Sequence, residues 1–425
     1  MFLLKITYTL IKQLQSSTNK KTNNTMNDFT FYSPTEFVFG KDKEQLTGEL
    51  CKKYGAHKVL VVYGGGSAVR SGLIDKIKSS MDNAGIQYVM LGGSKPNPTD
   101  PKVREGIEIC RKENVDFLLA VGGGSVIDTA KAIAVGVPYE GDFWDFFIAK
   151  AKIQSALPVA TVLTIPAAGS EGSGNAVITN EKTLQKLGIK QPMLLRPKFS
   201  IMNPMLTLTL PQWQTASGIA DMMAHILERY LSNTQDVMIS DRLAEGSLMA
   251  IMETAERLMK NPDDYEARAN IMWCGTIAHN DTCSAGRVED WSSHALEHEI
   301  SAIYDVTHGA GLTVMVPAFL RYALDTNPHK IAQLAVRVLG VQSDVKDVTQ
   351  LSINDQKVLA IQGVEKLKTW FHDVLQLPVS FAELGIENPD IETMVRQLHI
   401  NKGQAFGGYI TLTPADSKAI YELAL

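Results

Sequence analysis

Twice in the first third of this chain, a short apolar run ends in a glycine-rich turn that opens a helical pattern. Residues 58–63 (KVLVVY) precede the turn at 64–67 (GGGS), and residues 117–121 (FLLAV) precede the turn at 122–125 (GGGS). Continuous apolar runs of this length, separated by helices, are typical of strands buried on both faces. The pattern therefore predicts a parallel sheet covered by helices on both sides.

The rest of the chain predicts two domains and an N-terminal extension. Residues 1–25 contain four lysines and no acidic residue, a composition typical of a disordered segment. A β-hairpin is predicted at residues 29–32 and 36–40, and further strands at residues 87–92, 158–165, 175–179 and 199–203. From Pro211 onward the pattern is helical, so the boundary is placed near Pro204. We expect a dinucleotide-binding α/β domain at 26–203 and a helical metal-binding domain at 204–425.

Composition excludes several classes of function. The net charge of -5 and the lack of a polybasic tract argue against a nucleic-acid partner. No apolar run is long enough to predict a membrane span, and the four scattered cysteines include no C-x-x-C pair, which argues against a secreted disulfide framework. The composition therefore favours a cytoplasmic enzyme that acts on small molecules.

The glycine turns are candidate phosphate sites. Backbone N–H groups at the start of a helix, unobstructed by side chains, can bind the charge of a pyrophosphate. A tight strand–helix turn explains a single GGGS segment equally well, but two such turns after successive strands favour binding. Both turns are expected at the carboxyl edge of the sheet, where ligands of open α/β sheets bind.

A helix that spans residues 219–230 carries the next signal. Its apolar side chains form one stripe, while Asp221, His225 and Glu228 lie together on the opposite side. A carboxylate and an imidazole at helical spacing suit a divalent metal. An ordinary solvated face with an Asp and His pair is the alternative, and taken alone it is the more common case.

Three histidines within 15 residues are a second candidate ligand group. His294 and His298 are four residues apart and can face one ion, whereas a continuous helix would place His308 about 21 Å from His294. The segment at residues 304–307 is a plausible break that would bring His308 back. Spacing alone favours His298 over His308, and a helix with exposed histidines is the alternative.

Four motifs occur in order: GGGSVIDTAKAIA, AAGSE, GIADMMAHILERY and HALEHEISAIYDVTHGAGL. With them, residues 26–425 resemble the iron-containing (group III) alcohol dehydrogenase family, and in particular its butanol dehydrogenase branch. The resemblance implies an N-terminal Rossmann-like α/β domain with a parallel sheet and an all-α C-terminal domain. Cofactor and metal would then face each other across a cleft.

The resemblance also implies roles for particular residues. The implied metal ligands are Asp221, His225, His294 and His308. His298 becomes a catalytic histidine near the nicotinamide that does not bind the metal, and Asp128 is a second catalytic candidate. The implied cofactor contacts are Gly64, Gly65, Gly66, Ser67, Gly123, Gly124, Ser125, Asp128, Thr164 and Lys186. Ala168 stands where many relatives have Thr, so no hydroxyl contact is assigned there.

These residues predict an NAD(P)(H)-dependent, metal-dependent oxidoreductase that interconverts primary alcohols and aldehydes, as a homodimer by resemblance. One divalent metal, Fe or Zn, with Ni, Co or Mn also compatible, would act as Lewis acid on the carbonyl oxygen. Glu228 and Glu297 are expected to orient imidazoles, unless they are surface charges. Relatives that use only NAD carry an Asp where this chain has Gly65, so NADPH is expected in preference to NADH.

Two alternative functions stay open. One is another reaction on the same superfold, such as the chemistry of glycerol dehydrogenase or of dehydroquinate synthase. The motifs match the butanol dehydrogenase branch more closely than they match glycerol dehydrogenases. A dehydroquinate synthase would need a basic pocket for phosphate and carboxylate, and none is evident around residues 221–308. The other is a nucleotide-binding protein without turnover, which an assay of the metal-loaded protein with butanal would distinguish.

Overall fold

The strands of the N-terminal half alternate with helices. The computed structural model describes residues 25–345 and 347–425. The predicted disordered extension lies outside these residues, apart from Thr25. In chain order the elements of the first half are β1 Glu36–Phe39, α1 Thr47–Lys53, β2 Lys58–Gly64, α2 Ser67–Arg70, α3 Leu73–Ala84, β3 Gln87–Ser94, α4 Asp100–Glu113, β4 Phe117–Gly122, α5 Gly124–Gly136, α6 Trp144–Phe147, β5 Val159–Leu163, β6 Asn175–Asn180, β7 Gln185–Lys190, α7 Pro192–Leu195 and β8 Phe199–Met202.

Six strands form one parallel sheet in the order β1-β8-β5-β4-β2-β3. Successive side chains of β2 enter different apolar clusters, with Val59 and Val61 on one face and Leu60 and Val62 on the other. This burial on both faces explains why the strands are continuous apolar runs. Because β2 and β4 are neighbours, the two glycine turns lie side by side at the carboxyl edge of the sheet.

The predicted N-terminal hairpin is wrong. Residues 26–35 form no strand, and Phe29, Phe31 and Tyr32 are exposed. Strand β1 pairs instead with β8, parallel and more than 160 residues away in sequence. The pattern also missed β7, which pairs antiparallel with β6 and has the sequence QKLGIK, with few of the β-branched residues that indicate strands.

The C-terminal half is helical, as predicted. Its helices are α8 Gln212–Tyr230, α9 Met238–Lys260, α10 Tyr265–His279, α11 Ser292–Tyr304, α12 His308–Ala323, α13 His329–Arg337, α14 Ile353–Asp373, α15 Ile391–Lys402 and α16 Pro414–Glu422. The predicted fold class, a parallel α/β half followed by an all-α half, is confirmed. Among the described residues, no helix is both long enough and apolar enough to cross a membrane.

Candidate metal centre

Helix α8 runs through the middle of the helical half. Every side chain from Thr215 to Tyr230 is buried, including the side that carries Asp221, His225 and Glu228. The interpretation of this side as a solvated face is therefore wrong. Periodicity distinguishes polar from apolar sides, but it does not show whether water or protein covers the polar one. Here protein covers it, and buried polar groups need partners.

A turn between α11 and α12 brings the third histidine back. Helix α11 ends at Tyr304, Asp305 adopts a left-handed conformation with φ of 50°, and α12 begins at His308. The imidazole rings of His294 and His308 come to lie with their centroids 5.3 Å apart. The predicted break before His308 is confirmed, so a distance of 14 residues in sequence becomes a contact.

The predicted ligand atoms converge on one carboxylate oxygen. Asp221 Oδ1 lies 3.4 Å from His225 Nδ1, 3.7 Å from His294 Nε2 and 3.8 Å from His308 Nε2. A tetrahedral ion with bonds of about 2.1 Å would hold its ligand atoms about 3.4 Å apart. The four side chains are thus spaced as the ligands of one ion would be.

Three of these atoms have no hydrogen-bond partner. Asp221 Oδ1, His225 Nδ1 and His294 Nε2 are all buried, and each is unpaired among the described residues. A buried polar atom without a partner is costly, so such atoms are rare unless an ion or water satisfies them. Burial, with a further contribution from His279, lowers the pKa of His225 well below its ordinary value. The imidazole is therefore neutral, which leaves a nitrogen lone pair for a metal, and the site fits a divalent cation.

Two buried glutamates orient the imidazoles. Glu228 Oε2 accepts a hydrogen bond from His294 Nδ1, and Glu228 Oε1 accepts one from the backbone N–H of His294 at 2.9 Å. Glu297 Oε2 accepts a hydrogen bond from His308 Nδ1, and Glu297 Oε1 accepts one from Ser301 Oγ. Each contact uses Nδ1 and turns Nε2 towards Asp221, as in carboxylate–histidine–metal triads. The two glutamates are thus not surface charges.

His298 lies beside this group. Its ring centroid is 5.6 Å from that of His308 and 6.2 Å from that of His294. Ligand atoms of His298, Glu297 and His308 lie within 4.8 Å of one another, as do those of Asp221, His294 and His308. Proximity alone therefore does not separate the two sets, and the placement of His298 outside the metal's ligands stays a prediction.

His279, at the end of α10, is a neighbour that sequence reasoning missed. Its ring meets that of His225 edge-on, with the centroids 4.2 Å apart, and its Nε2 accepts a hydrogen bond of 2.7 Å from Asn175 Nδ2. Its ring also lies 5.9 Å from that of Trp291. His279 is 54 residues from His225 in sequence and has no histidine at helical spacing, so only the packing of α8 against α10 could reveal it.

The second glycine turn is tightly enclosed, and the first is open. A Cβ atom on Gly123 would lie 3.0 Å from Ile165 Cβ, which no other residue type would tolerate without movement. A Cβ on Gly65 would meet nothing within 4 Å. Gly66 has φ of 128°, and Arg70 Nη1 lies 3.0 Å from where its Cβ would stand. A guanidinium therefore lies over the first turn, beside Ser67 at the start of α2.

One loop connects the second glycine turn to the metal helix. The loop follows β5 at Thr164, whose backbone N–H donates to Gly122 O at 3.1 Å. A Cβ on Gly124 would lie 3.2 Å from Ala168 Cβ, and a Cβ on Gly218 of α8 would lie 2.4 Å from Pro166 O. Because glycine on both sides permits this close approach, one loop packs against both the predicted phosphate turn and the helix that carries Asp221 and His225.

The remaining predicted site residues have protein partners. Asp128 accepts hydrogen bonds from Ser170 Oγ at 2.7 Å and from the Val177 backbone N–H at 2.9 Å, and burial raises its pKa. Lys186 Nζ lies 3.1 Å from Asn97 Oδ1 and 3.7 Å from Glu297 Oε2. Asp128 thus connects α5 to β6, whereas Lys186 reaches from β7 to Glu297, which orients His308. Their predicted roles with the cofactor stay predictions.

Glu299, the residue after His298 on α11, is a buried carboxyl group. Asn401 Nδ2 donates to Glu299 Oε1 at 3.0 Å, and Glu299 Oε2 has no partner among the described residues. Burial raises the pKa of Glu299 to about 7, with Glu297 adding to the effect, while Asn401, Lys402 and Lys186 oppose it. Folding therefore favours the protonated form of this group.

Replacement of Glu299 should make stability less dependent on pH. An unfolded carboxyl releases its proton near pH 4.5, but the folded one keeps it to about pH 7, so wild-type stability falls as pH rises across this window. In chelator-treated protein, Glu299→Gln should raise the free energy of unfolding at pH 8 by on the order of 2 kcal/mol and change it little near pH 5. Denaturant titrations at both pH values measure this, with the exposed Glu387→Gln as control; an equal effect at both pH values would refute it.

Comparisons with known proteins identify the family of this chain. The family model described as iron-containing alcohol dehydrogenase matches residues 34–204, and the model for the C-terminal part of the Fe-containing alcohol dehydrogenase family matches residues 215–425. The chain is 40% identical over 400 residues to the probable NADH-dependent butanol dehydrogenase 1 of Bacillus subtilis, covering 94% of this chain and 100% of the relative. It is 33% identical over 407 residues to the NADPH-dependent aldehyde reductase of Escherichia coli, with the same coverage.

A solved structure gives the same result. The crystal structure of NADH-dependent butanol dehydrogenase A from Thermotoga maritima matches with a TM-score of 0.88 and 41% identity, over 94% of this chain and 99% of that one. The resemblance to butanol dehydrogenases is thereby confirmed, together with the prediction of an enzyme that uses NAD(P) and a divalent metal on alcohols and aldehydes. The chain belongs to the iron-containing alcohol dehydrogenase family.

Proposed function

We propose that this enzyme reduces short primary aldehydes, with butanal as a representative substrate, and oxidises the corresponding alcohols. The observation that carries the proposal is the convergence of His225, His294 and His308 on Asp221. Three of the four ligand atoms are buried and have no hydrogen-bond partner among the described residues. Bound there, a divalent ion supplies a Lewis acid for the substrate oxygen. Fe and Zn are the proposed ions, and Ni, Co or Mn also suit one carboxylate and three imidazoles.

The surrounding residues have separate tasks in this proposal. Glu228 and Glu297 fix the imidazole orientations by their hydrogen bonds to Nδ1. The turn at Gly123 and Gly124 offers backbone N–H groups at the start of α5 for the pyrophosphate. His298 lies beside the metal group, and burial lowers its pKa well below the ordinary value, so its imidazole is neutral. We assign it the catalytic role and Asp128 a role in positioning the cofactor turn.

The proposed cofactor preference rests on two observations at the first glycine turn. The first glycine turn lacks a carboxylate that would repel a 2′-phosphate, and Arg70 lies over Gly66. These features support the use of NADPH in preference to NADH. Against this, the relatives that are 39–40% identical are named NADH-dependent, whereas the relative named NADPH-dependent is 33% identical. Measurement with both cofactors decides the preference.

The assembly and location are proposals as well. We propose a cytoplasmic homodimer that acts on a small-molecule alcohol or aldehyde, without a nucleic-acid or membrane partner. The acidic net charge and the match to butanol dehydrogenases over nearly the whole chain support this. Light scattering of the purified full-length chain measures the mass in solution, and a monomer would contradict the proposed assembly.

A direct test combines metal analysis with an aldehyde panel. Protein purified without chelator should contain about one divalent ion per chain, and the ion-loaded protein should oxidise NADPH or NADH when butanal is added. Glycerol with the oxidised cofactor tests the glycerol dehydrogenase alternative in the same assay. Cofactor binding without turnover of any aldehyde, with the ion bound, would contradict the proposal and favour a nucleotide-binding protein.

A further inference from the structure

The turn that delivers His308 to the metal group is held by the N-terminal half of the chain. Asn97, in the loop after β3, donates from Nδ2 to Asp305 Oδ1 at 3.0 Å and to Val306 O at 3.4 Å. Thr307 Oγ1 accepts a hydrogen bond of 3.1 Å from Trp213 Nε1 on α8. Helical hydrogen bonds reach only the two ends of this turn, from the Asp305 N–H to Ser301 O and from the Gly311 N–H to Thr307 O. The side chains of Asn97 and Trp213 therefore add contacts that hold the turn from outside.

The same asparagine reaches His308 by a second route. Asn97 Oδ1 accepts a hydrogen bond of 3.1 Å from Lys186 Nζ, and Lys186 Nζ lies 3.7 Å from Glu297 Oε2. Glu297 Oε2 in turn accepts the hydrogen bond from His308 Nδ1. Polar contacts thus form a closed circuit from Asn97 through Lys186 and Glu297 to His308, and back through the turn to Asn97.

Both asparagine and aspartate hold unusual backbone conformations at this junction. Asn97 and Asp305 have φ of 50° each, in the left-handed region that Asn and Asp tolerate better than most residues. Pro96 and Pro98 flank Asn97 and restrict the backbone on either side of it. The loop therefore presents the Asn97 side chain in a preset direction, which reduces the entropy lost when the two halves meet.

We propose that Asn97 is a positioning residue for the metal site, which couples the cofactor half of the chain to the ligand His308. Its amide oxygen holds Lys186 against Glu297, and its amide nitrogen holds the turn that places the His308 backbone. Because Lys186 is a predicted cofactor contact, a cofactor bound there would affect the position of a metal ligand through Asn97 and Glu297. Reciprocally, metal bound by His308 holds the loop in place, as linkage between two sites requires.

The test measures metal binding and coupling rather than turnover alone. Asn97→Gly removes all three polar contacts of the side chain and keeps the left-handed conformation available. When chelator-treated protein is titrated with Co²⁺, the dissociation constant for Co²⁺ should be about tenfold higher in this variant than in the wild type, since loss of a supporting contact typically weakens metal binding by 10–100-fold. The visible absorption spectrum of the Co²⁺-bound variant should also differ from that of the wild type. The ratio of NADPH dissociation constants with and without Co²⁺, measured by NADPH fluorescence, should move towards one.

Two variants serve as matched controls. Gln185→Ala, one residue from Lys186, removes another hydrogen bond between the halves, that from Gln185 Nε2 to Asn401 Oδ1 at 2.9 Å, and should leave Co²⁺ binding unchanged. Asp305→Asn keeps an acceptor oxygen and a tolerated left-handed residue, so it should bind Co²⁺ like the wild type. Asp305→Gly removes one of the three contacts of Asn97 and should weaken Co²⁺ binding in the same direction as Asn97→Gly, though by less. The double variant should show no loss beyond that of Asn97→Gly, because the two single variants share that contact.

The outcomes separate this inference from the proposed function on which it rests. If His308→Ala binds Co²⁺ like the wild type, the proposed metal site itself is wrong. If His308→Ala loses Co²⁺ while Asn97→Gly and Asp305→Gly both keep the wild-type affinity, spectrum and coupling, only the role of Asn97 is overturned. A raised Michaelis constant for butanal with unchanged Co²⁺ binding would also overturn it, since Asn97 would then touch substrate. Should Asn97→Gly fail to fold, Asp305→Gly alone decides.

Discussion

His308→Ala should purify with little metal and lose its aldehyde reductase activity. The change removes one of four predicted ligands, leaves Glu297 Oε2 without its imidazole donor, and opens the site to water. A Lewis acid stabilises the transition state by several kcal/mol, so kcat/KM for butanal should fall by about a thousandfold or more. Elemental analysis of protein purified without chelator, together with initial rates at saturating cofactor, measures both effects.

His298→Ala is the matched control for this prediction. It removes an imidazole 5.6 Å from His308 by ring centroids but leaves every contact to Asp221 in place. The variant should therefore keep its metal while its kcat falls, because a catalytic imidazole is lost. If His298→Ala instead loses the ion and His308→Ala keeps it, the ligand assignment is wrong and the helical spacing of His294 and His298 is the correct guide.

The sequence predicted those parts of the fold that depend on local pattern. The buried strands and the helices after them follow from apolar runs and glycine turns, and both recur in the structure with bounds close to the predicted ones. The prediction of a hairpin was wrong because β1 pairs with the distant strand β8, and no local signal in the sequence identifies that partner. Strand β7 was not predicted because Lys, Gln and Gly dominate it, although it carries Lys186 to Glu297.

The candidate metal site, too, could be predicted from the sequence only where its residues are close together in the chain. Spacing identified Asp221 with His225 and His294 with His298, because helical periodicity is a local property. Resemblance, and not spacing, proposed His308, which a three-residue turn brings to His294. His279 and Asn97 escaped detection because each acts through contacts between distant elements, α10 with α8 in the first case and the loop after β3 with the α11–α12 turn in the second.

The first glycine turn allows a test of cofactor preference by charge. Gly65 has room for a side chain, because an added Cβ would meet nothing within 4 Å and its φ lies outside the left-handed region. A substitution there should therefore change the electrostatic environment of the turn with little change to the fold. Arg70, whose guanidinium lies near Gly66, is the cation that we propose for contact with a 2′-phosphate.

Gly65→Asp should raise the Michaelis constant for NADPH far more than that for NADH. The new carboxylate repels the 2′-phosphate, which only NADPH carries, and a repulsion of about 1–3 kcal/mol corresponds to roughly a 10- to 100-fold change in the ratio of the two constants. Gly65→Asn is the matched control, because it has the same shape without the charge and should leave the ratio close to the wild-type value. Initial rates of butanal reduction over a range of each cofactor measure the ratio, and raised salt should weaken the effect. Equal changes for both cofactors in Gly65→Asp, or a wild-type enzyme that rejects NADPH, would show that this turn does not contact the 2′ position.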